Sequence, residues 1–171
     1  MQPVSRVRLE VDHLAHGWLT GAAALGAERR PLLASYLDDT PTALVSAARA
    51  GLSGSSAEVV FVLEPDSQVW RLEPSREPFM RLSISSCPSP WPVRGWEPSN
   101  EDEYLVRRTH FASAVVALLD DLLTKYTRTY YESHEGWGKP FPETQVAALR
   151  AAGGKQRPVA RQRRYTIQRP R

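Results

Sequence analysis

The stretch His110–Tyr131, HFASAVVALLDDLLTKYTRTYY, constrains the fold more than any other part of the chain. At 100° per residue, Phe111, Ala112, Val115, Val116, Leu118, Leu119, Leu122, Leu123, Tyr126 and Tyr130 share one wide arc, and Ser113, Asp120, Asp121, Thr124 and Arg128 lie opposite. The spacing predicts a helix of about five to six turns. An apolar stripe of that length has to be covered, and a one-sided helix commonly finds its cover on a sheet.

The strands to supply that sheet are legible upstream. Ala57–Glu64 (AEVVFVLE), Val69–Glu73 (VWRLE) and Phe79–Ser85 (FMRLSIS) are short, β-branched and aromatic-rich. Pro65-Asp66-Ser67-Gln68 joins the first two as a hairpin with type I turn chemistry. Trp70 and Leu72 share a face, as do Met80, Leu82 and Ile84. A fourth strand, Tyr104–Arg108, leads into the long helix through Thr109 as its cap, and Val4–Val11 alternates as an amphipathic strand. Asp12–Arg30 has no strong period around Gly17, Gly21 and Gly26, and reads equally as strand, short helix or loop. Pro31–Leu37 (PLLASYL) is short and apolar, and feeds a helix with Thr40 as N-cap and Pro41 at its first position, running to Leu52 and ended by Ser53-Gly-Ser-Ser56. Glu135-Gly-Trp-Gly-Lys-Pro140 breaks the chain before a last short helix, Pro142–Ala152, closed by Gly153-Gly154. The predicted fold class is α+β: a mainly antiparallel sheet of four to six strands with two longer helices packed on one face.

The chain's 171 residues suit one domain with a real core. Its single cysteine, Cys87, cannot form an internal disulfide, and the first residues lack a signal-peptide pattern, so the expected compartment is a reducing cytoplasm. The longest weakly polar run, Leu14–Ala27, is too short and polar to span a bilayer. The net charge of +3 is uneven: Lys155, Arg157, Arg161, Arg163, Arg164, Arg169 and Arg171 stand together with no acid among them, leaving 15 basic against 19 acidic residues elsewhere. The expected division is therefore a single domain over residues 1–153 with a net charge near −4, and a basic tail over 154–171.

Residues 87–100, CPSPWPVRGWEPSN, carry four prolines and a glycine, which rules out regular structure. Trp91 and Trp96 flank Arg94 there, and Glu101 and Asp102 form an acidic rim beside them. Rigid backbone, aromatic surface and an arginine suit a protein-contact patch; the alternative is that both indoles fold back and cover the sheet. His13 and His16 are spaced as HxxH but have no third or fourth ligand marked nearby, so no metal is expected. Asp120 and Asp121 fall on the polar side of the long helix, Asp121 four residues before Lys125, as a solvated face would have them. Cys87 has no marked base, and no GxSxG, Walker loop or GxGxxG followed by a helix is present. These features imply no catalytic residues and no cofactor. The basic tail suits either phosphates or an acidic protein surface, with Tyr165 and Ile167 as apolar anchors.

The order SYLDDTPTALVSAARAGL, VVFVLEPDSQVWRLEP, HFASAVVALLDDLLTKY, EGWGKPFPETQVAALRAA resembles that of small bacterial α+β proteins, some of them of the immunity type encoded beside polymorphic toxins. The resemblance covers residues 1–152 and lies in layout alone. It implies a non-enzymatic protein that works by binding another protein; the alternative from a different class is a nucleic-acid-associated protein acting through its tail.

Overall fold

The computed structural model describes residues 2–93, 96–98 and 101–154. These residues form an α+β fold with two antiparallel sheets. The chain order is β1 (Val7–Ala15), β2 (Trp18–Leu25), β3 (Glu28–Ser35), α1 (Thr40–Ser53), β4 (Ala57–Val62), β5 (Ser67–Pro74), β6 (Phe79–Cys87), β7 (Glu101–Arg107), α2 (Arg108–Lys125), α3 (Arg128–Glu132) and α4 (Glu143–Gly154). β1-β2-β3 make one meander and β4-β5-β6-β7 a second. The antiparallel α+β class is as expected, but the strands divide into two sheets where the sequence suggested one. A single apolar core runs through both sheets and the helices.

The additional sheet comes from Asp12–Arg30, the stretch without a period. Its glycines mark two turns of positive φ and one close approach of backbone. His16 and Gly17 both have positive φ (50° and 76°), as a two-residue type I′ hairpin requires, and they join the paired Ala15 and Trp18. Gly26, at φ 67°, turns β2 into β3 beside the Leu25–Glu28 pair. Between them the register slips at Val11/His13, leaving Asp12 as an extra residue of β1. Gly21 faces this bulge: a Cβ there would lie 1.9 Å from the Glu10 carbonyl oxygen. Pro31, which has no N–H to offer, sits in the edge strand β3.

β1 begins later than the alternation at Val4 suggested. Val4 instead donates its N–H to the Leu105 carbonyl at 2.9 Å, and Pro3 bridges Leu105 in parallel, so the segment before β1 joins the two sheets. In α1 the cap is Asp39 rather than Thr40, without a side-chain bond, and Pro41 fills the first turn. Gly51 lets this helix approach β6, because a Cβ there would be 2.8 Å from the Met80 sulfur.

The long helix also differs from its periodicity. α2 starts at Arg108, one residue before the expected cap, and stops at Lys125; Tyr126 is extended, and α3 restarts with Thr127 as its side-chain cap. The break has a physical reason. β1 is an edge strand, and its outward backbone groups need partners. Tyr126 Oη accepts from Leu14 N–H at 3.0 Å, Tyr130 Oη donates to the Leu14 carbonyl at 3.2 Å, and Lys125 Nζ donates to the Val11 carbonyl. The two phenol rings stack with centroids 5.4 Å apart. The two phenols reach the β1 edge from beyond the end of α2. Arg108 is buried and likewise serves backbone, donating to the Phe79 carbonyl at 3.1 Å and pairing with Glu77 at 3.0 Å.

Three stability predictions follow from this geometry. Tyr126→Phe leaves the buried Leu14 N–H without its acceptor and should cost about 1–3 kcal/mol in chemical denaturation; an unchanged midpoint and slope would show that the edge is sealed some other way. Gly21→Ala forces the β1 bulge to move and should cost about 3 kcal/mol. By contrast, Gly153→Ala near the end of α4 has no neighbour within 4 Å and should be neutral or stabilising by up to about 1 kcal/mol.

Candidate functional site

Register assigns each side chain of the four-stranded sheet to one of two faces. The row Val59–Trp70–Ile84 and the row Ala57–Leu72–Leu82–Tyr104 point to the core and helices. On the opposite face, Val62, Val69, Ser83, Ser85 and Cys87 are buried too. Cover there comes from the proline-rich segment, which folds back over this outer face. Ser67 Oγ donates to the Ser89 carbonyl at 2.7 Å, and Arg71 Nη2 donates to the Trp96 carbonyl at 3.4 Å while its guanidinium stands 5.3 Å from the Trp96 ring centroid.

The two tryptophans therefore part company. Trp96 is half-buried against Arg71 and serves as cover for the sheet, whereas Trp91 is 53% exposed and Val93 is 70% exposed. Ser89 Oγ donates to the Trp91 carbonyl at 2.9 Å, bracing the turn that presents the indole. The folded-back alternative, which had both indoles covering the sheet, holds for Trp96 and not for Trp91. Arg94, between them, lies outside the described residues, as do Lys155, Arg157, Arg161, Arg163, Arg164, Arg169 and Arg171.

Glu101 and Asp102 open β7 and point to opposite faces of the sheet. Glu101 Oε1 lies 4.0 Å from Arg71, which is also 3.0 Å from Glu58. Asp102 is 2.9 Å from Arg30, which pairs in turn with Glu28 at 3.0 Å. Arg81 repeats the pattern between Glu73 and Glu103. Each arginine is thus held between two carboxylates, and the hydrogen bonds that Arg71, Arg81 and Arg30 donate to Glu58, Glu73 and Tyr104 raise their guanidinium pKa above its ordinary value. Tyr104 Oη donates to Glu28 at 2.7 Å; this bond draws the Glu28 carboxyl below its ordinary range, while burial raises the Tyr104 phenol. Arg30, Gln68, Ser86, Glu101 and Asp102 line a polar groove of about 660 Å³ where β3 comes beside the second sheet.

Sequence reading named Trp91, Arg94, Trp96, Glu101 and Asp102 as candidates, and did not name Val93 or the arginines that separate the acids. Their signal was the alternation of charge at the polar positions of the strands, Glu58, Arg71, Glu73, Arg81 and Glu103, which only register brings into rows. The remaining chemistry-bearing residues are dispersed. His13 lies on β1 and His16 in its turn, so the HxxH pair is not on a helix. Asp121 pairs with Lys125 at 2.8 Å and Asp120 with Arg150. Cys87 is a buried thiol at the end of β6. Among the described residues, Ser35, Thr40 and Tyr131 carry buried hydroxyls without a hydrogen-bond partner, and burial together with Asp39 pushes the Tyr131 phenol far up. Among the described residues, no three His, Cys, Asp or Glu side chains converge as a metal site needs. No helix among them is long and apolar enough to cross a membrane.

The arrangement sets an exposed indole and valine on a braced turn, beside carboxylates held in rows by strand register. Compared with known protein families, with curated proteins and with solved structures, the chain matches none.

Proposed function

We propose that this chain is a non-enzymatic binding module, in the manner of an immunity protein or adaptor, that holds another protein on the Trp91–Val93 ridge and the acidic face beside it. The observation that carries this reading is the exposure of Trp91 on a segment tied to the sheet at Ser67 and Arg71. An unsupported exposed indole would gain little from binding, because ordering its segment costs about 1–2 kcal/mol per residue. Here that cost is met on folding, so the apolar contact is available to a partner. Aromatic anchors ringed by polar groups are the usual energetic centres of protein interfaces.

Trp91→Ala combined with Val93→Ser should leave the unfolding midpoint within a degree or two, since both side chains are exposed. The same pair should weaken capture of the partner by at least about 30-fold, the equivalent of 2 kcal/mol lost at an anchor. Quantitative affinity purification from the source cells, wild type against double variant, measures this. Recovery of the same proteins in the same amounts by both chains would end the proposal.

A second reading has one observation of its own, the seven basic residues without an acid between Lys155 and Arg171. Lying on nucleic-acid phosphates, they would give an affinity that falls steeply with salt. In a gel shift with duplex DNA and structured RNA, this reading requires a shift by the full chain that disappears when all seven are changed to Gln. Equal shifts by both chains, or none, would exclude it.

A further inference from the structure

Two bracketed arginines on the outer face of the β4–β7 sheet leave it negatively charged. Arg71 is shared by Glu58 and Glu101 and Arg81 by Glu73 and Glu103, so two cations meet four anions. Glu97, exposed on the folded-back segment and close enough to act on Arg71, adds a fifth. Register puts Arg107 on the same face at its far end, against Phe79, so the surplus is about two negative charges and lies toward Trp91. Asp102, with Arg30 and Glu28, belongs to the opposite face. Beside it stand the exposed Trp91 and Val93. A surface of this kind fits a cationic segment rich in arginine, whose planar forks pair with carboxylates two bonds at a time, and which carries a few apolar side chains for the ridge.

The chain contains such a segment. Residues 155–171, KQRPVARQRRYTIQRPR, bring seven positive charges, no negative ones, and Val159, Tyr165 and Ile167. They follow directly on α4, which ends at Gly154. Seventeen residues can extend roughly 56 Å at about 3.3 Å each, whereas a domain of about 150 residues has a radius of gyration near 15 Å. Length therefore permits the segment to pass from the helical side to the outer face. We infer that residues 155–171 dock in cis on the acidic outer face of the β4–β7 sheet beside Trp91, shielding that surface until a partner displaces them. The shielding role rests on the docking function proposed above; the contact itself does not. Tethering supplies an effective concentration of about 1 mM, so an affinity of only about 0.1 mM in trans would keep the surface roughly 90% occupied in cis.

A fluorescein-labelled peptide of residues 155–171 tests this by anisotropy against three full-length chains. Against a chain in which Arg161, Arg163, Arg164 and Arg169 are changed to Gln, the surface is vacated and the peptide should bind, more weakly as salt rises from 50 to 300 mM. Against the unmodified chain, apparent affinity should be about tenfold lower, because the tethered segment competes. Adding Glu97→Gln and Glu103→Gln to the Gln-tail chain should weaken peptide binding roughly three- to tenfold, with an unchanged unfolding midpoint. Equal binding to the unmodified and Gln-tail chains, or none to either, overturns the inference. So does binding that Glu97→Gln/Glu103→Gln leaves intact. The docking function is read separately, by partner capture with the Trp91→Ala/Val93→Ser chain, so either idea can fail alone.

Discussion

The apolar stripe of α2 is the constraint on which the structure depends. It packs against β1 of the three-stranded sheet, against β7 of the other, and against α1 and α4. Phe111, Val115, Leu118, Leu119 and Leu122 are all buried along it. A side chain of this size contributes roughly 1.5–3 kcal/mol on burial. A single helix touching both meanders explains how two small sheets share one core. It also explains why the helix must stop at Lys125: one more turn would carry Tyr126 and Tyr130 onto a helical arc and away from the β1 edge, whose Leu14 N–H and carbonyl they satisfy.

Sequence legibility followed the strength of local periodicity. The long helix, the α1 start around Pro41, and β4 to β7 were readable because each carries its own period or turn signal. β2 was not, because its inward positions are Ala and Gly as often as Leu; a strand of small residues has little hydrophobic contrast to alternate. The glycines there were noticed as breaks in a pattern, whereas each answers a tertiary demand. Gly21 is needed only because the Glu10 carbonyl approaches it from another strand, a contact no window along the chain contains. The ending of α2 has the same character. Helix periodicity continues smoothly through Tyr126, and what overrides it is the unpaired edge of a strand more than a hundred residues earlier.

The candidate site was half legible for a related reason. Prolines and tryptophans between two strands mark a segment that cannot be regular, but composition does not say which indole faces the sheet. That is settled by Arg71 on β5, whose guanidinium takes both the Trp96 ring and its carbonyl. Once Trp96 is committed to cover the outer face, the braced turn before it leaves Trp91 outside. Cover and presentation are thus two ends of one short segment, and the arginine links them.

The ion pairs of this surface are better understood as positioning than as stability. All are at least partly exposed, and such pairs contribute about 0–1 kcal/mol each. The inner face of the same sheet, with Phe61 against Trp70 at 4.8 Å between centroids, carries far more buried apolar area. A sheet stabilised from its inner side can bear an excess of like charge on the other without unfolding, provided arginines separate the carboxylates. Arg71 and Arg81 do this at alternate positions of adjacent strands, so carboxylates facing one another across the sheet do not repel directly. The result is a charged surface whose geometry is fixed by strand register.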